Sequence, residues 1–501
     1  LATKKTKKDK TKILFVASEM EPFVKVGGLA EVIGTLTRRL SGLDCDIRVV
    51  LPYYKEVRKN LKKLKIKPKK LDKRVVFCVD WLAEEGDIYE VQYKDVTIYL
   101  LHNDEYFDRD QIYATPRGEF ADNDRRFGFL SLGALEAAKA LDWKPDIIHC
   151  HDWQTALIPI CLKWRKHLKD DEYFKNSKVL LTIHNISYQG QFDNSILDKY
   201  GLPGFLFTSQ GLELYGKVNL LKGGILYSDL VSTVSPTFAE EIKKRDYGYG
   251  LDAVLKWITR KSNKLIGILN GIDYDVWNPE SDNAIYSKFS AKDISAKTIN
   301  TQELKKELGL SGGEGCPILC FVSKLTQQKG LDLLIDSLPQ IFDLGYQVVI
   351  IGSGETRFEQ MLRKANRKFR KNLSITIRPS EELERKIYAG SDMLLMPSRF
   401  EPCGLGQIIA LRYGTIPVVR GTGGLLDTVK DYTEDNKNGN GFIFHEFSKV
   451  SLLDALLRAI SVFEDNKAWS KLISRAMKED LSWRQSGKKY KEVYQQLLTR
   501  I

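Results

Sequence analysis

Short apolar runs alternate along the chain with stretches whose apolar residues recur every three to four positions, which predicts strands and helices in turn. Residues 13–17 read as a first buried strand, and Leu29, Val32, Ile33, Leu36 and Leu40 follow at helical spacing. The runs at 47–51, 147–150, 179–183, 230–234 and 265–269 continue a first set of strands. A second set begins at 318–322 and goes on through 348–351, 373–377, 393–396 and 416–419. Such strand–helix–strand repetition builds parallel sheets covered by helices, so the pattern predicts an α/β chain of two doubly wound domains. Residues 274–300 are polar and lack a strong period, as a linker does, which puts the domains at 11–285 and 301–470. From 471 to 501 the chain reads as helical, with Trp483, Tyr490, Val493, Tyr494 and Leu497 at its apolar positions. That tail is expected to pack back on the first domain.

A length of 501 residues agrees with two domains of roughly 200 to 250 residues. No apolar run approaches the roughly 20 residues that cross a bilayer, and no apolar leader opens the chain, so no membrane partner is expected. The net charge of +12 matters only until it is located. Residues 1–12 hold six Lys against Asp9, and residues 55–74 hold eleven Lys or Arg against Glu56 and Asp72. These segments carry +5 and +9, which leaves −2 for everything else. A frayed tail and a solvated stretch thus account for the excess, and nucleic acid is not expected as a partner. Seven Cys, odd in number and scattered, fit a reducing compartment. That means the cytoplasm, or a plastid if a targeting segment has been removed from a chain that begins here at Leu1.

The residues with chemistry to offer all follow strands, where open α/β sheets bind their ligands. After the first strand comes Lys25-Val26-Gly27-Gly28-Leu29-Ala30-Glu31. Paired glycines at a helix start let backbone N–H groups approach a phosphate, and Lys25 adds a full charge. After the first strand of the second set, Lys324 and Lys329 bracket a turn and can grip a diphosphate from two sides. The segment 397–406 places Glu401 between Phe400 and Pro402 just past a buried strand, where packing explains a carboxylate poorly. Helix capping by Ser398 or Glu401 is the plainer alternative. Gly421-Thr422-Gly423-Gly424 again offers backbone donors. In the first domain, strands end in His149-Cys150-His151-Asp152 and Thr182-Ile183-His184-Asn185. Alternation puts His149 and His151 on one face, yet no third ligand stands at metal-site spacing, so His151 is better used towards a sugar.

Together KVGGLAE, HCHDWQ, TIHNISYQG, NGID, SKLTQQKGLDLL, PSRFEPCGLGQ and RYGTIPVVRGTGGLLDTV resemble the glycogen and starch synthase family, in family order over nearly the whole chain. The resemblance implies a GT-B fold, in which two Rossmann-like domains face a deep interdomain cleft. It implies glucosyl transfer with retention from ADP-glucose to the non-reducing end of an α-1,4-glucan or malto-oligosaccharide, with neither metal nor cofactor. Carried over by position, Lys25, His151, Lys324, Lys329 and Glu401 are the implied catalytic residues. Gly27, Gly28, Glu31, Asp122, His184, Asn185, Asn270, Gln328, Ser398, Cys403, Gly404, Leu405, Thr422, Gly423 and Gly424 are implied to bind the substrates. Four positions depart from the family pattern. Glu31 stands for Asp, Lys324 for Arg and Gly406 for Thr, and residues 377–379 offer no aromatic for the nucleobase. These departures motivate two alternatives: a glucan-binding or granule-initiating scaffold with weakened activity, or a related transferase using UDP-glucose.

Overall fold

The computed structural model describes residues 10–115, 118–311, 313 and 315–499, so the basic residues 1–9 lie outside the described residues. It divides into two compact units. The first takes in the chain as far as Val234, then Ala239–Ile268, then everything from Ser486 on; the second takes Ser235–Phe238 and Leu269–Gln485.

The first unit is built on nine strands: β1 (Thr11–Val16), β2 (Cys45–Pro52), β3 (Lys69–Val79), β4 (Leu82–Tyr93), β5 (Val96–His102), β6 (Ile147–His151), β7 (Lys178–Ile183), β8 (Leu230–Thr233) and β9 (Leu265–Gly267). They lie in the order β9-β8-β7-β6-β1-β2-β5-β4-β3. All neighbours are parallel except at β5-β4-β3, which is antiparallel. Strands buried on both faces need apolar side chains throughout rather than alternation, and Ile13, Phe15, Val16, Ile147, Ile148 and Cys150 are completely buried. From β1 the chain moves one way to β2 and later the other way to β6. A switch point therefore opens at the carboxyl ends of β1 and β6, where α/β sheets bind ligands.

The second unit repeats the plan with β10 (Ile318–Val322), β11 (Gln347–Gly352), β12 (Leu373–Ile377), β13 (Met393–Met396), β14 (Ile416–Arg420) and β15 (Phe442–Phe444), in the order β12-β11-β10-β13-β14-β15. Its switch point lies between β10 and β13.

Two segments differ from the sequence reading. The basic side chains of residues 55–74 are solvated as expected, but the stretch is regular structure: Lys55–Lys63 is a helix, and β3 is the edge strand of the sheet. Only Val75, Phe77 and Val79 of β3 are buried, while its Lys and Arg face outwards. Charges on an edge strand discourage pairing with another chain, which gives the basic cluster a structural use. The division between the units falls at Leu269, ahead of the polar linker. Ile272, Trp277, Ile285 and Phe289 belong to the second core, and Arg385 lies over the Trp277 ring at 4.5 Å while donating to Asp282. Four anchors at irregular spacing leave no period to read.

Lys297 is the one lysine of that segment drawn inside, 5% exposed. Its ammonium donates to the carbonyls of Ala389 and Tyr413 and to Thr415 Oγ1 at 2.9, 3.1 and 3.0 Å. Burial lowers its pKa to about 8, against the opposing pull of Asp392. The folded state thus releases a proton that the unfolded chain keeps up to about pH 10.4. Stability linked to this group rises with pH from about 8 upwards, and its cost is fully present below that. Lys297→Met should destabilise the second unit by about 1–3 kcal/mol through unmet carbonyls. The gap between the two proteins in urea unfolding should widen by about 1 kcal/mol between pH 7 and 9. A gap independent of pH would show that Lys297 keeps its proton in the folded state across this range.

Candidate active site

Three loops meet at the switch point of the second unit, because their strands β10, β13 and β14 are neighbours. The loop after β10 carries Lys324, Gln328 and Lys329, and the loop after β13 carries Ser398, Glu401, Cys403 and Gly404. They are tied by Arg399 N–H to the Gln328 carbonyl at 2.8 Å and by Gln328 Nε2 to the Phe400 carbonyl at 3.4 Å. At Gly330, φ is +71°, and a side chain would sit 1.9 Å from the Pro397 carbonyl oxygen, so only glycine lets the loops approach. Gly424 is needed for the same reason: its N–H donates to the Glu401 carbonyl at 3.1 Å, and a Cβ would fall 2.4 Å from Cys403 Cα.

Glu401 is the centre of this arrangement. It is 4% exposed, and its Oε2 receives Lys329 Nζ at 2.5 Å and Ser398 Oγ at 3.0 Å. The capping alternative is not what the geometry offers, since the carboxylate is engaged by a cation and a hydroxyl. A buried carboxylate needs such partners, and the pair presents a positive and a negative group on one loop surface. Lys324, by contrast, is exposed. Burial pushes the Cys403 thiol up to about 12, which leaves it no role as a nucleophile. Leu405 precedes the short helix Gly406–Arg412, and Thr422 is fully buried beside Gly423, whose φ is +49°. Asn270 lies in the same unit, 5% exposed, with its side-chain oxygen unbonded within the protein. At Gly406 a Cβ would stand 3.2 Å from the Tyr388 hydroxyl, a tight contact to which that side chain would have to give way by a few tenths of an ångström.

In the first unit the loops after β1, β6 and β7 assemble around a carboxylate and two histidines. Gly27 caps the helix Gly28–Ser41, as the glycine motif predicts, but the expected phosphate contact needs correction. Val26 N–H and Gly27 N–H donate to Glu19 Oε2 at 2.6 and 2.9 Å, so the protein's own carboxylate fills that position. The other Glu19 oxygen accepts from Tyr113 at 2.5 Å. Gly28 is exposed and a side chain there would meet nothing within 4 Å, which leaves its face open. Lys25 is half exposed and pairs with Glu31 and, at 3.5 Å, with Glu21. The extra methylene of Glu31 does not prevent that pairing. Asp122 is clamped by both Nη atoms of Arg109, at 2.8 and 2.5 Å. Burial pushes its carboxyl up, but the Arg109 bonds outweigh this and hold it below the usual range.

His151 is completely buried, and its Nδ1 meets His184 Nε2 at 3.0 Å while its Nε2 has no partner within the protein. Burial, then the neighbouring histidines, lowers its pKa well below normal, so the ring stays neutral. Burial likewise lowers His184 to about 3. Asp152, with φ +54°, accepts from the N–H groups of His184 at 2.7 Å and Asn185 at 3.5 Å. Burial pushes its carboxyl up to about 7 against those two bonds. Asn185 itself holds Ser187 through its side-chain oxygen. His149 is no metal partner for His151, because both its nitrogens are used, by Tyr494 and Thr182. Among the described residues no group of three or more His, Cys, Asp or Glu is arranged to hold a metal ion. Glu19 went unread in the sequence, and Asp152 was named within its motif but given no role. The signal was there, since each is a carboxylate just past a buried strand.

Residues 12–257 match the starch synthase catalytic domain model, and residues 301–477 match glycosyl transferases group 1. The glycogen synthase of Geotalea daltonii is 45% identical over 98% of this chain and 99% of its own. The glycogen synthase of Thermotoga maritima is 42% identical over the same shares. Among solved structures, the catalytic domain of starch synthase IV from Arabidopsis thaliana, bound to ADP and acarbose, has a TM-score of 0.88. It is 33% identical and covers 98% of this chain and all of that one. Sucrose-phosphate synthase from Thermosynechococcus elongatus shares the fold at a TM-score of 0.61 and 15% identity.

Proposed function

The chain belongs to the glycogen and starch synthase family, and on that premise we propose that it extends an α-1,4-glucan with glucose from ADP-glucose. It is a glucan synthase and a retaining hexosyltransferase of the GT-B class. ADP as the leaving group is supported by the bound ADP of the Arabidopsis relative. The observation that carries the reading is the Lys329–Glu401–Ser398 group at the switch point of the second unit.

In the reaction the bond from glucosyl C1 to the diphosphate breaks, and the acceptor's 4-hydroxyl oxygen bonds C1 from the same face. The hydroxyl proton leaves with ADP, so charge and atoms balance. Negative charge grows on the diphosphate as the bond breaks, and fixed cations there lower the barrier without having to reorganise. Lys329 and Lys324 supply them, with the Gly423–Gly424 turn beside the same loops. Glu401 is placed to orient Lys329 and to hold the glucose ring rather than to attack it. His151, kept neutral by burial, offers its free Nε2 to a hydroxyl of the transferred sugar. Lys25, Glu31, Gly28, Asp122, His184 and Asn185 line the loops of the first unit and serve donor and glucan there; Asn270, Gln328, Cys403, Gly404, Leu405 and Thr422 do so in the second.

No helix among the described residues is long and apolar enough to cross a membrane. Incubation with ADP-[14C]glucose and glycogen, followed by counting of precipitated glucan, tests the proposal. Label should enter the glucan and be released by an α-1,4-specific amylase. Label from UDP-glucose alone would change the donor, and none from either would favour the scaffold.

A further inference from the structure

A chain of hydrogen bonds runs across the first sheet beneath His151. Ser232 Oγ on β8 meets Thr182 Oγ1 on β7 at 2.7 Å, and Thr182 Oγ1 meets His149 Nε2 on β6 at 2.7 Å. His149 Nδ1 meets the hydroxyl of Tyr494 at 2.8 Å. Tyr494 belongs to the last helix, Trp483–Thr499, and to that part of it, from Ser486 on, which packs with the first unit. All four side chains are buried, none more than 1% exposed.

Such a ladder is not what packing a helix on a sheet requires. Apolar residues of the same shape hold a helix on a sheet at least as well, and each buried polar group is costly once its partner is lost. What the ladder does achieve is to fix one ring. With both nitrogens bonded, His149 has a single orientation. Burial raises the Tyr494 pKa well above normal, so its hydroxyl keeps its proton beside Nδ1. The His149 ring in turn lies against the ring of His151, with centroids 4.1 Å apart, while Phe15 stacks on His151 at 5.6 Å and 17°. Phe15 and His149 also touch each other, with centroids 4.7 Å apart, so His151 packs into the corner the two rings form. The direction of its free Nε2 follows from where His149 stands together with the Nδ1 contact to His184.

We infer that Tyr494 is a positioning residue for glucosyl transfer, setting through His149 the plane in which His151 presents Nε2 to the sugar. The last helix thereby becomes part of the catalytic apparatus of the first unit rather than a tether alone. This rests on the reading of His151 given above.

Tyr494→Phe removes one oxygen and keeps the ring. Its kcat should fall about tenfold, with KM for ADP-glucose and for glycogen each within about twofold of the unaltered chain, as a small misplacement does. In a His149→Phe background, Tyr494→Phe should cause no further loss of kcat. Should His149→Phe not fold, Thr182→Val takes its place in the cycle, and there the two losses should fall short of multiplying. A kcat within about twofold of normal for Tyr494→Phe would overturn the inference. So would equal losses in both backgrounds, which a helix acting only as a tether predicts. An unaltered chain that transfers no glucose would sink both this inference and the proposed function. An active chain indifferent to Tyr494→Phe sinks this inference alone.

Discussion

Glu401→Gln is expected to fold as the unaltered chain does and to lose at least about 100-fold in kcat. The substitution is nearly isosteric, so the loops after β13 and β14 keep their packing and the Gly424 N–H still finds the Glu401 backbone carbonyl. What changes is the charge beside Lys329. The carboxylate now accepts from Lys329 Nζ and from Ser398 Oγ through one oxygen. A carboxamide offers one accepting oxygen without the full charge, and its NH2 group adds donors to a place already crowded with them. Lys329 then has no reason to stay, and the cation meant for the diphosphate loses its aim. Because further charge on the diphosphate develops as the bond breaks, the loss should appear chiefly in kcat. Single-turnover measurement with ADP-glucose and maltoheptaose checks this, alongside a thermal melt within a few degrees of normal. Glu401→Asp keeps the charge one methylene back and should fall between the two. Near-normal turnover in Glu401→Gln would remove Glu401 from the mechanism.

The parallel strands were legible because strands buried on both faces are short apolar runs, and all eleven runs read from the pattern overlap a parallel strand of the two main sheets within two residues at either end. The hairpin β3–β4 was not legible, since its exposed edge replaces apolar residues with lysines and the alternation survives only from Val75 to Val79. Nor was the switch-point geometry, because strand order is not written in any one segment. Within the site, Lys329 and Glu401 stood out because a lysine and a carboxylate close behind buried strands have no packing reason to be there. Their mutual pairing, 72 residues apart, needed the fold. Glu19 shows the reverse error. The glycine motif drew attention to its own N–H groups, whereas the residue that satisfies two of the first ones lies seven and eight positions earlier.

The two lysines should not prove equal. Lys329→Ala is expected to lose on the order of 3 kcal/mol of transition-state stabilisation, roughly 100-fold or more in kcat/KM for ADP-glucose. Its side chain is 19% exposed and lies against a carboxylate that is 5% exposed, so its field is little screened by water. Removing it also leaves Glu401 with Ser398 alone, so part of the measured loss is the cost of an unpaired buried charge. Lys329→Met keeps the aliphatic stem but equally leaves Glu401 unpaired, so it should recover only the packing lost in Lys329→Ala, and not the rate. Lys324 is exposed, and a cation in water contributes less at the same distance. Lys324→Ala should therefore lose about tenfold, and the loss should shrink as salt is raised, while the Lys329→Ala loss should hold. Lys324→Arg can offer two parallel bonds to phosphate oxygens where Lys offers a point charge, and should match or exceed the unaltered chain. Measuring kcat/KM for the four variants at two ionic strengths decides the matter. Indifference to Lys324→Ala would mean that Lys324 does not face the diphosphate and that Lys329 acts without a second cation from that turn. Indifference to Lys329→Ala would be the graver result, since the pairing with Glu401 would then be structural and the donor site would have to be sought elsewhere.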